Sequence, residues 1–179
     1  MEELYRPVSQ SLGITPKKIS IILQNHNSIS NGFVSQTPRR SEFFTMPTQD
    51  YNFAGILDWM DLLAVHEFRH VVQFDKSITK FNKAVFYVLG YNASSSLAHI
   101  AVPEWFWEGD AVVIETALTK GGRGRIPNFG MLMRTNTLER GTFNYYRQYL
   151  RSYKYEVQDH YTFGYYMTSY LRNHYGDKI

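Results

Sequence analysis

The sequence contains no cysteine, which excludes both a disulfide scaffold and a thiolate metal site. No apolar run approaches the ~18 residues that a membrane-spanning helix needs. The N-terminus, MEELYRPVSQSLG, lacks the basic segment and the apolar stretch of a signal peptide. The chain also has no internal repeat and no low-complexity tract. We therefore expect neither a transmembrane segment nor a secretory signal in this sequence.

The composition is that of an ordinary globular domain. Of the 179 residues, 44% are hydrophobic and 20% are charged, which excludes a wholly disordered chain and a coiled coil. This length is enough for one domain with a core and too short for two ordinary domains. We therefore expect a single domain over residues 1–179.

Positive charge is concentrated in one part of the chain. The net charge is +3, yet the segment Lys120–Lys154 carries eight Lys or Arg and one Glu. Such a segment forms a solvated, arginine-rich surface, or it binds nucleic acid, lipid headgroups or acidic ligands. The chain also has 14 Tyr, 12 Phe and 3 Trp, most of which we expect in the core or lining a groove.

The first fifty residues are typical of a β-rich segment. Lys17–Gln24 alternates and is rich in β-branched residues, and Asn31–Gln36 and Ser41–Met46 are shorter strand candidates. Pro38 and Pro47 interrupt the pattern.

Helical spacing replaces this pattern after Asp50. Apolar residues from Ala54 to about Phe74 recur at steps of three and four, which predicts a long, largely buried helix with Asn52 as a possible N-cap. The further predicted helices are Lys80–Leu89 (ended by Gly90), Glu104–Thr119, Phe129–Arg140, Tyr145–Gln158 and Tyr161–Tyr175 (ended by Gly176). The segments Tyr91–His99 and Lys120–Asn128 are predicted to be loops.

The long helix carries the motif His66-Glu67-Phe68-Arg69-His70, an HExxH sequence. Two histidines four residues apart lie on one helix face, so both imidazoles can reach one metal ion. The glutamate beside the first histidine can reach a water at that ion without being a ligand. This is the arrangement of zinc-activated hydrolysis with a carboxylate general base. Unpartnered histidines in so apolar a helix would be costly, which favours a shared ligand.

A catalytic zinc needs a third protein ligand, and Glu108 is our first candidate. Tryptophan and other apolar residues flank it, so its carboxylate needs a partner, and Gly109 beside it would allow close approach of another helix. Glu104 fits a solvent-facing position better. His99, in a predicted loop, is a rival third ligand because histidine is the commonest one.

The two motifs together resemble the gluzincin clan of zinc metallopeptidases. His66–His70 is followed by Glu108 within PEWFWEGDA, which is similar to the W-x-x-E-G-x-A motif of the M1-aminopeptidase-like group. Segments further along are similar to bacterial proteins that join such a domain to a TolB-like β-propeller: Glu115-Thr116, Gly122–Arg125, Met131–Arg134, Tyr161–Gly164 and Tyr170–Gly176. The resemblance covers roughly Ile19 to Gly176. It implies that the chain is a fragment of a longer protein with a C-terminal β-propeller.

The resemblance implies a role for each matching residue. His66, His70 and Glu108 would bind one Zn²⁺, and Glu67 would be the general base and proton shuttle. Tyr161 is similar to the tyrosine that stabilises the oxyanion in the aminopeptidase branch, or it is one more packed tyrosine.

Asn31, Gly32 and Phe33 stand where the clan has the edge strand that binds an extended substrate, although an ordinary hairpin strand fits them as well. There is no clear G-x-M-E-N-type motif for a free amino terminus, so exopeptidase specificity does not follow. Asp110 and Glu115 are both candidates for the carboxylate that hydrogen-bonds a zinc-bound histidine. Arg123 and Arg125 would either hold a substrate carboxylate or bind helix carbonyls, and we slightly favour the latter.

Three functions are consistent with these patterns. The first is a zinc-dependent peptidase acting on a peptide or protein substrate. The second is a catalytically inactive, zinc-stabilised module that binds peptides. The third, nucleic-acid binding through Lys120–Lys154, leaves both motifs unexplained, so we expect no nucleic-acid partner.

We expect an α+β, zincin-like fold. A small twisted N-terminal sheet (1–50) packs on the HExxH helix, the zinc-binding helices occupy 51–119, and a mainly helical part covers 120–179. The resemblance favours the bacterial cell envelope or periplasm as its location.

Overall fold

Helices dominate the chain, and one small sheet accompanies them near the N-terminus. The computed structural model describes residues 2–50, 58–151 and 154–176. The elements within these ranges are α1 (Glu2–Gln10), β1 (Ser20–Gln24), β2 (Gly32–Gln36), β3 (Arg39–Phe44), α2 (Trp59–Ser77), α3 (Lys80–Ala101), α4 (Glu104–Leu118), a 3₁₀ turn (Arg123–Arg125), α5 (Met131–Arg140), α6 (Tyr145–Leu150) and α7 (His160–Tyr175). The predicted α+β class is thus confirmed.

The sheet has three strands in the order β1-β3-β2. β1 runs parallel to β3, with Ile22 opposite Glu42, and β2 runs antiparallel to β3, with Val34 opposite Ser41. β2 is therefore an edge strand. The third strand begins at Arg39, two residues earlier than the predicted Ser41, because the turn between β2 and β3 takes only two residues.

The sheet packs on α2, the helix that carries the HExxH motif. Phe43 is buried with Trp59, Leu62 and Leu63, and the Trp59 indole donates a 2.7 Å hydrogen bond to the carbonyl of Phe44. Asp58 caps α2 by accepting hydrogen bonds from its first turn. The predicted N-cap, Asn52, and the predicted start at Ala54 lie outside the described residues.

An unpredicted helix, α1, covers the other side of α2. Its Val8 is fully buried with Val65, Phe68, Val71, Val72 and Ile114. Hydrophobic periodicity did not predict this helix, because it contains Pro7 and has few apolar residues. Its contact with α2 is what stabilises it, because an isolated helix of nine residues is marginal in water.

The predicted loop Tyr91–His99 is wrong, because α3 continues through it to Ala101. Gly90 has a φ of 81° and a ψ of −173°, which is non-helical, so α3 consists of two helical segments that meet at a kink. The first segment ends at Gly90, as predicted. The second half of α3 buries two small residues, Ser94 and Ala98. The Tyr91 hydroxyl at its start donates a 3.3 Å hydrogen bond to a carboxylate oxygen of Asp75. Small inward residues give a weak hydrophobic pattern, which explains why the sequence suggested a loop.

The helices α4 and α7 pack closely against each other at two glycines. A Cβ on Gly109 would lie 2.1 Å from the backbone of Gly164, so the two helix backbones touch. The predicted bounds of these helices, Glu104–Thr119 and Tyr161–Tyr175, differ from the observed ones by one residue each. By contrast, the predicted helix Tyr145–Gln158 already ends at Leu150.

Within the described residues, no helix combines the length and the apolar character that crossing a bilayer requires.

We predict that Gly109→Ala destabilises the fold. The added methyl group meets the backbone of Gly164 and forces α4 and α7 apart, which should cost about 1–3 kcal/mol. Urea unfolding followed by circular dichroism measures this loss. Thr135→Ala, at an exposed position of α5, is the control and should change the free energy of unfolding by less than about 0.5 kcal/mol. An equally stable Gly109→Ala variant would contradict the close helix packing.

Candidate metal centre

Three side chains from two helices converge on one point. His66 and His70 lie on the same face of α2, and Glu108 reaches them from α4. The Nε2 atoms of the two histidines are 3.2 Å apart, and Glu108 Oε2 lies 3.1 Å from His66 Nε2 and 3.3 Å from His70 Nε2. Among the described residues this is the only group of three or more His, Asp or Glu that could hold a metal ion.

These separations are of the size expected between ligand atoms of a tetrahedral metal site. Zinc in proteins is tetrahedral with ligands at about 2.0–2.1 Å, so adjacent ligand atoms should lie about 3.3 Å apart. All three observed distances are close to this value. His99, the rival third ligand, is not a member of the group. It lies on α3 and packs its ring against Phe74 and Trp107.

The electrostatics of the group favour a positive charge at its centre. Burial would raise the pKa of Glu108, but the imidazoles of His70 and His66 outweigh burial and hold this pKa well below its ordinary value. Burial would lower the pKa of His70, yet Glu108 and Glu67 raise it to about 9. The carboxylates thus attract a cation to this point, whether a proton on an imidazole or a metal ion.

Glu115 and Arg123 orient His66. Glu115 is fully buried, and its Oε2 lies 2.8 Å from His66 Nδ1. Arg123 donates to both oxygens of this carboxylate, at 2.7 and 2.8 Å, which keeps it ionised and lowers its pKa to about 2. His66 Nδ1 also lies 2.9 Å from a guanidinium nitrogen of Arg123, so this ring nitrogen faces both an acceptor and a donor. The other ring nitrogen, Nε2, faces the centre of the group.

A second chain of hydrogen bonds orients His70. Its Nδ1 lies 2.8 Å from Gln73 Oε1, while the Gln73 amide nitrogen donates to Trp107 O and to Asp110 Oδ2. Because the amide nitrogen is engaged there, its oxygen must accept from His70 Nδ1, and His70 Nε2 then faces Glu108 and His66. Asp110 itself is held by Arg69 and Arg172, each at 2.6 Å. Of the two predicted carboxylates, Glu115 thus contacts a histidine directly and Asp110 acts through Gln73.

Glu67 lies beside the group without belonging to it. Its side chain is 5% exposed and lines a pocket of about 200 Å³ together with His66, His70, Glu108 and Tyr161. Burial raises the pKa of Glu67, and the two histidines only partly offset this effect. A carboxylate with a raised pKa accepts a proton more readily at neutral pH.

Tyr161 closes the same pocket from the first turn of α7. Its ring centroid lies 6.1 Å from that of His66, and the Arg123 guanidinium lies 4.9 Å from the Tyr161 ring centroid. Burial and the charge of Glu108 raise the pKa of its hydroxyl, so the hydroxyl remains a proton donor. A donor of this kind can stabilise developing negative charge in the pocket.

The edge strand β2 forms another wall. Gly32, Phe33 and Val34 line the pocket, and a Cβ on Gly32 would lie 3.2 Å from Glu67 Cγ. Asn31 does not line the pocket, and its side-chain oxygen accepts a hydrogen bond from the backbone of Gly32. The strand thus lies directly over the glutamate, and its outer edge pairs with no other strand among the described residues.

The two loop arginines do not line the pocket. Arg123 is buried against Glu115, and Arg125 donates to the carbonyl of Thr116 at 3.0 and 2.7 Å. Arg125 therefore has the role of a helix-carbonyl partner, which the sequence analysis slightly favoured over a substrate role.

Sequence reasoning missed three residues that support the centre: Gln73, Arg69 and Arg172. Arg69 and Gln73 lie on the HExxH helix among apolar residues, and their burial there was a signal that they needed partners.

We compared the chain with protein-family models, with curated proteins and with solved structures, and none of these comparisons gives a match.

We predict that Asp110→Asn weakens the fold in a pH-dependent manner. At pH 7 the change leaves Arg69 and Arg172 without their buried counter-charge, which should cost about 3–5 kcal/mol. These arginines outweigh burial and lower the pKa of Asp110 in the folded protein, so its contribution is present above the ordinary carboxyl range and is lost as the pH falls below it.

The free energy of unfolding of the unmodified protein should therefore fall more steeply below about pH 4 than that of the variant. Urea titrations at several pH values measure both slopes. Asp61→Asn, at an exposed position of α2, is the matched control. Identical slopes for Asp110→Asn and the unmodified protein would contradict this account.

Proposed function

We propose that this protein is a zinc-dependent peptidase with a zincin-like fold. One observation carries the proposal: three ligand atoms at the mutual distances of a tetrahedral zinc site open into a pocket that also contains a buried glutamate. The sequence resemblance to gluzincins supports the same function. His66, His70 and Glu108 would hold the metal, and no protein group occupies the remaining coordination position in this proposal.

When bound, zinc would supply a Lewis acid that polarises a carbonyl and lowers the pKa of water. The protein's own part is to hold both Nε2 lone pairs toward one point. Glu115 and Gln73 would do this by accepting hydrogen bonds from the Nδ1 atoms of the two histidines when the metal is bound.

Glu67 would move the proton. It is buried beside the ligands and has a raised pKa, so it can take a proton from water and give it to the leaving amine. Tyr161 would donate a hydrogen bond to the oxygen on which negative charge develops. Its raised pKa supports this role because the hydroxyl keeps its proton at neutral pH.

The edge of β2 would hold the substrate main chain. Gly32 and Phe33 line the pocket, and an extended peptide would pair with the outer edge of their strand as an added strand. Such binding is compatible with cleavage inside a chain, because it does not depend on a free terminus.

We predict that the purified protein contains about one zinc per chain, measured by elemental mass spectrometry. His66→Ala/His70→Ala should abolish this content, because two of the three ligands are lost. The matched control His26→Ala/His174→Ala changes two exposed histidines and should retain the metal. A chain without zinc even after reconstitution would contradict the proposed centre.

We predict that Glu67→Gln retains zinc and loses peptidase activity by at least about 100-fold, because the amide cannot accept the proton. Cleavage of a quenched fluorescent peptide library measures the activity. Glu104→Gln is the control, since this side chain is 70% exposed and should leave activity unchanged. Full cleavage by Glu67→Gln would refute the mechanism. If the unmodified protein contains zinc and binds peptides but does not cleave them, a catalytically inactive binding module would be favoured instead.

A further inference from the structure

The first half of α3 exposes large apolar side chains to solvent. Phe81 is 74% exposed and Val88 is 80% exposed, and together with Ala84 they form one stripe at helical spacing. Tyr87 and Leu89 beside them are 73% and 68% exposed. Contiguous exposed apolar residues of this size mark an interaction surface.

The charged side chains of the segment that carries this stripe have one sign. Lys80 and Lys83 form a neighbouring stripe with Tyr87, and no acidic residue occurs between Lys76 and Pro103. The acidic residue immediately before this stretch, Asp75, is bound by Arg39 at 2.8 Å. The apolar stripe therefore has a cationic border, which complements a negatively charged surface.

A deep apolar cleft opens beside the same surface. It has a volume of about 600 Å³, and Lys76 and Lys80 lie among its lining residues together with Phe81, Leu97 and Trp107. Asp110 lines it too, but its carboxylate is paired with Arg69 and Arg172. Cationic side chains next to apolar walls are the combination that binds an anionic headgroup and the upper part of its acyl chain.

We propose that Lys80–Leu89 is a membrane-surface helix that binds an anionic lipid bilayer. The helix would lie in the plane of the interface, with Phe81 and Val88 inserted and Lys80 and Lys83 at the headgroups. Its ten residues extend for about 15 Å, which is too short to span a bilayer but suits this orientation. A protein partner of ordinary composition would not require a border of one charge sign.

The kink at Gly90 separates this surface from the candidate metal centre. His99, which lines the pocket that contains Glu67, lies on the helical segment beyond the kink. The lipid-binding proposal does not depend on the peptidase function, because no ligand of the metal takes part in it.

Flotation of the full chain with vesicles tests the proposal. The protein should bind vesicles that contain roughly 30% phosphatidylglycerol and bind pure phosphatidylcholine much more weakly. Phe81→Ser/Val88→Ser should abolish binding, because the inserted side chains are lost. Lys80→Gln/Lys83→Gln should weaken binding about tenfold or more. Both pairs lie on the exposed surface, so folding should be retained, which circular dichroism verifies.

Two control variants change similar residues elsewhere. Leu138→Ser, at an 85% exposed position of α5, and Lys120→Gln should bind vesicles like the unmodified protein. Absence of binding, or equal binding to neutral vesicles, would overturn the proposal. A dimer in light scattering that Phe81→Ser/Val88→Ser dissociates, without vesicle binding, would overturn it in favour of self-association.

Discussion

The carboxylate of Asp110 joins the helices around the candidate metal centre. It accepts hydrogen bonds from Arg69 and Gln73 of α2 and from Arg172 of α7. Arg69 in turn donates to the carbonyl of Val8 in α1 at 2.6 Å. Four helices thus meet at one buried negative charge. Any displacement of α4 would break hydrogen bonds to two other helices, so the position of Glu108 on that helix depends on Asp110.

Buried ion pairs rarely stabilise a protein strongly, but leaving one partner unpaired is costly. Any other packing of the helices that separated these partners would therefore be penalised, so the network favours one packing. The described buried charges near the centre are the carboxylates of Glu67, Glu108, Asp110 and Glu115 and the guanidiniums of Arg69, Arg123 and Arg172. Arginines balance Asp110 and Glu115, whereas Glu67 and Glu108 face the histidines. The four carboxylates outnumber the three guanidiniums by one, so the site favours one further positive charge, such as that of a protonated His70.

The three residues that the structure brings together could be predicted from sequence because each is a local signal. HExxH fixes two histidines on one helix face, and Glu108 stands out as a carboxylate among aromatic residues. The orienting residues could not be chosen in this way. Glu115 and Asp110 were equivalent candidates, since the choice depends on where α4 crosses α2. Likewise α1 and the second half of α3 have weak local patterns, and their tertiary contacts determine their conformation.

Two close approaches at glycine determine the shape of the pocket. The contact between Gly109 and Gly164 sets the spacing of α4 and α7, and these helices carry Glu108 one residue before and Tyr161 three residues before the contact. Gly32 lets β2 lie against Leu63 and Glu67, where any larger residue would hold the strand away. Glutamate, tyrosine and strand edge thus approach the same point because side chains are absent at these contacts. The glycines contribute no functional group, but they determine how closely Glu108, Tyr161 and β2 approach one another.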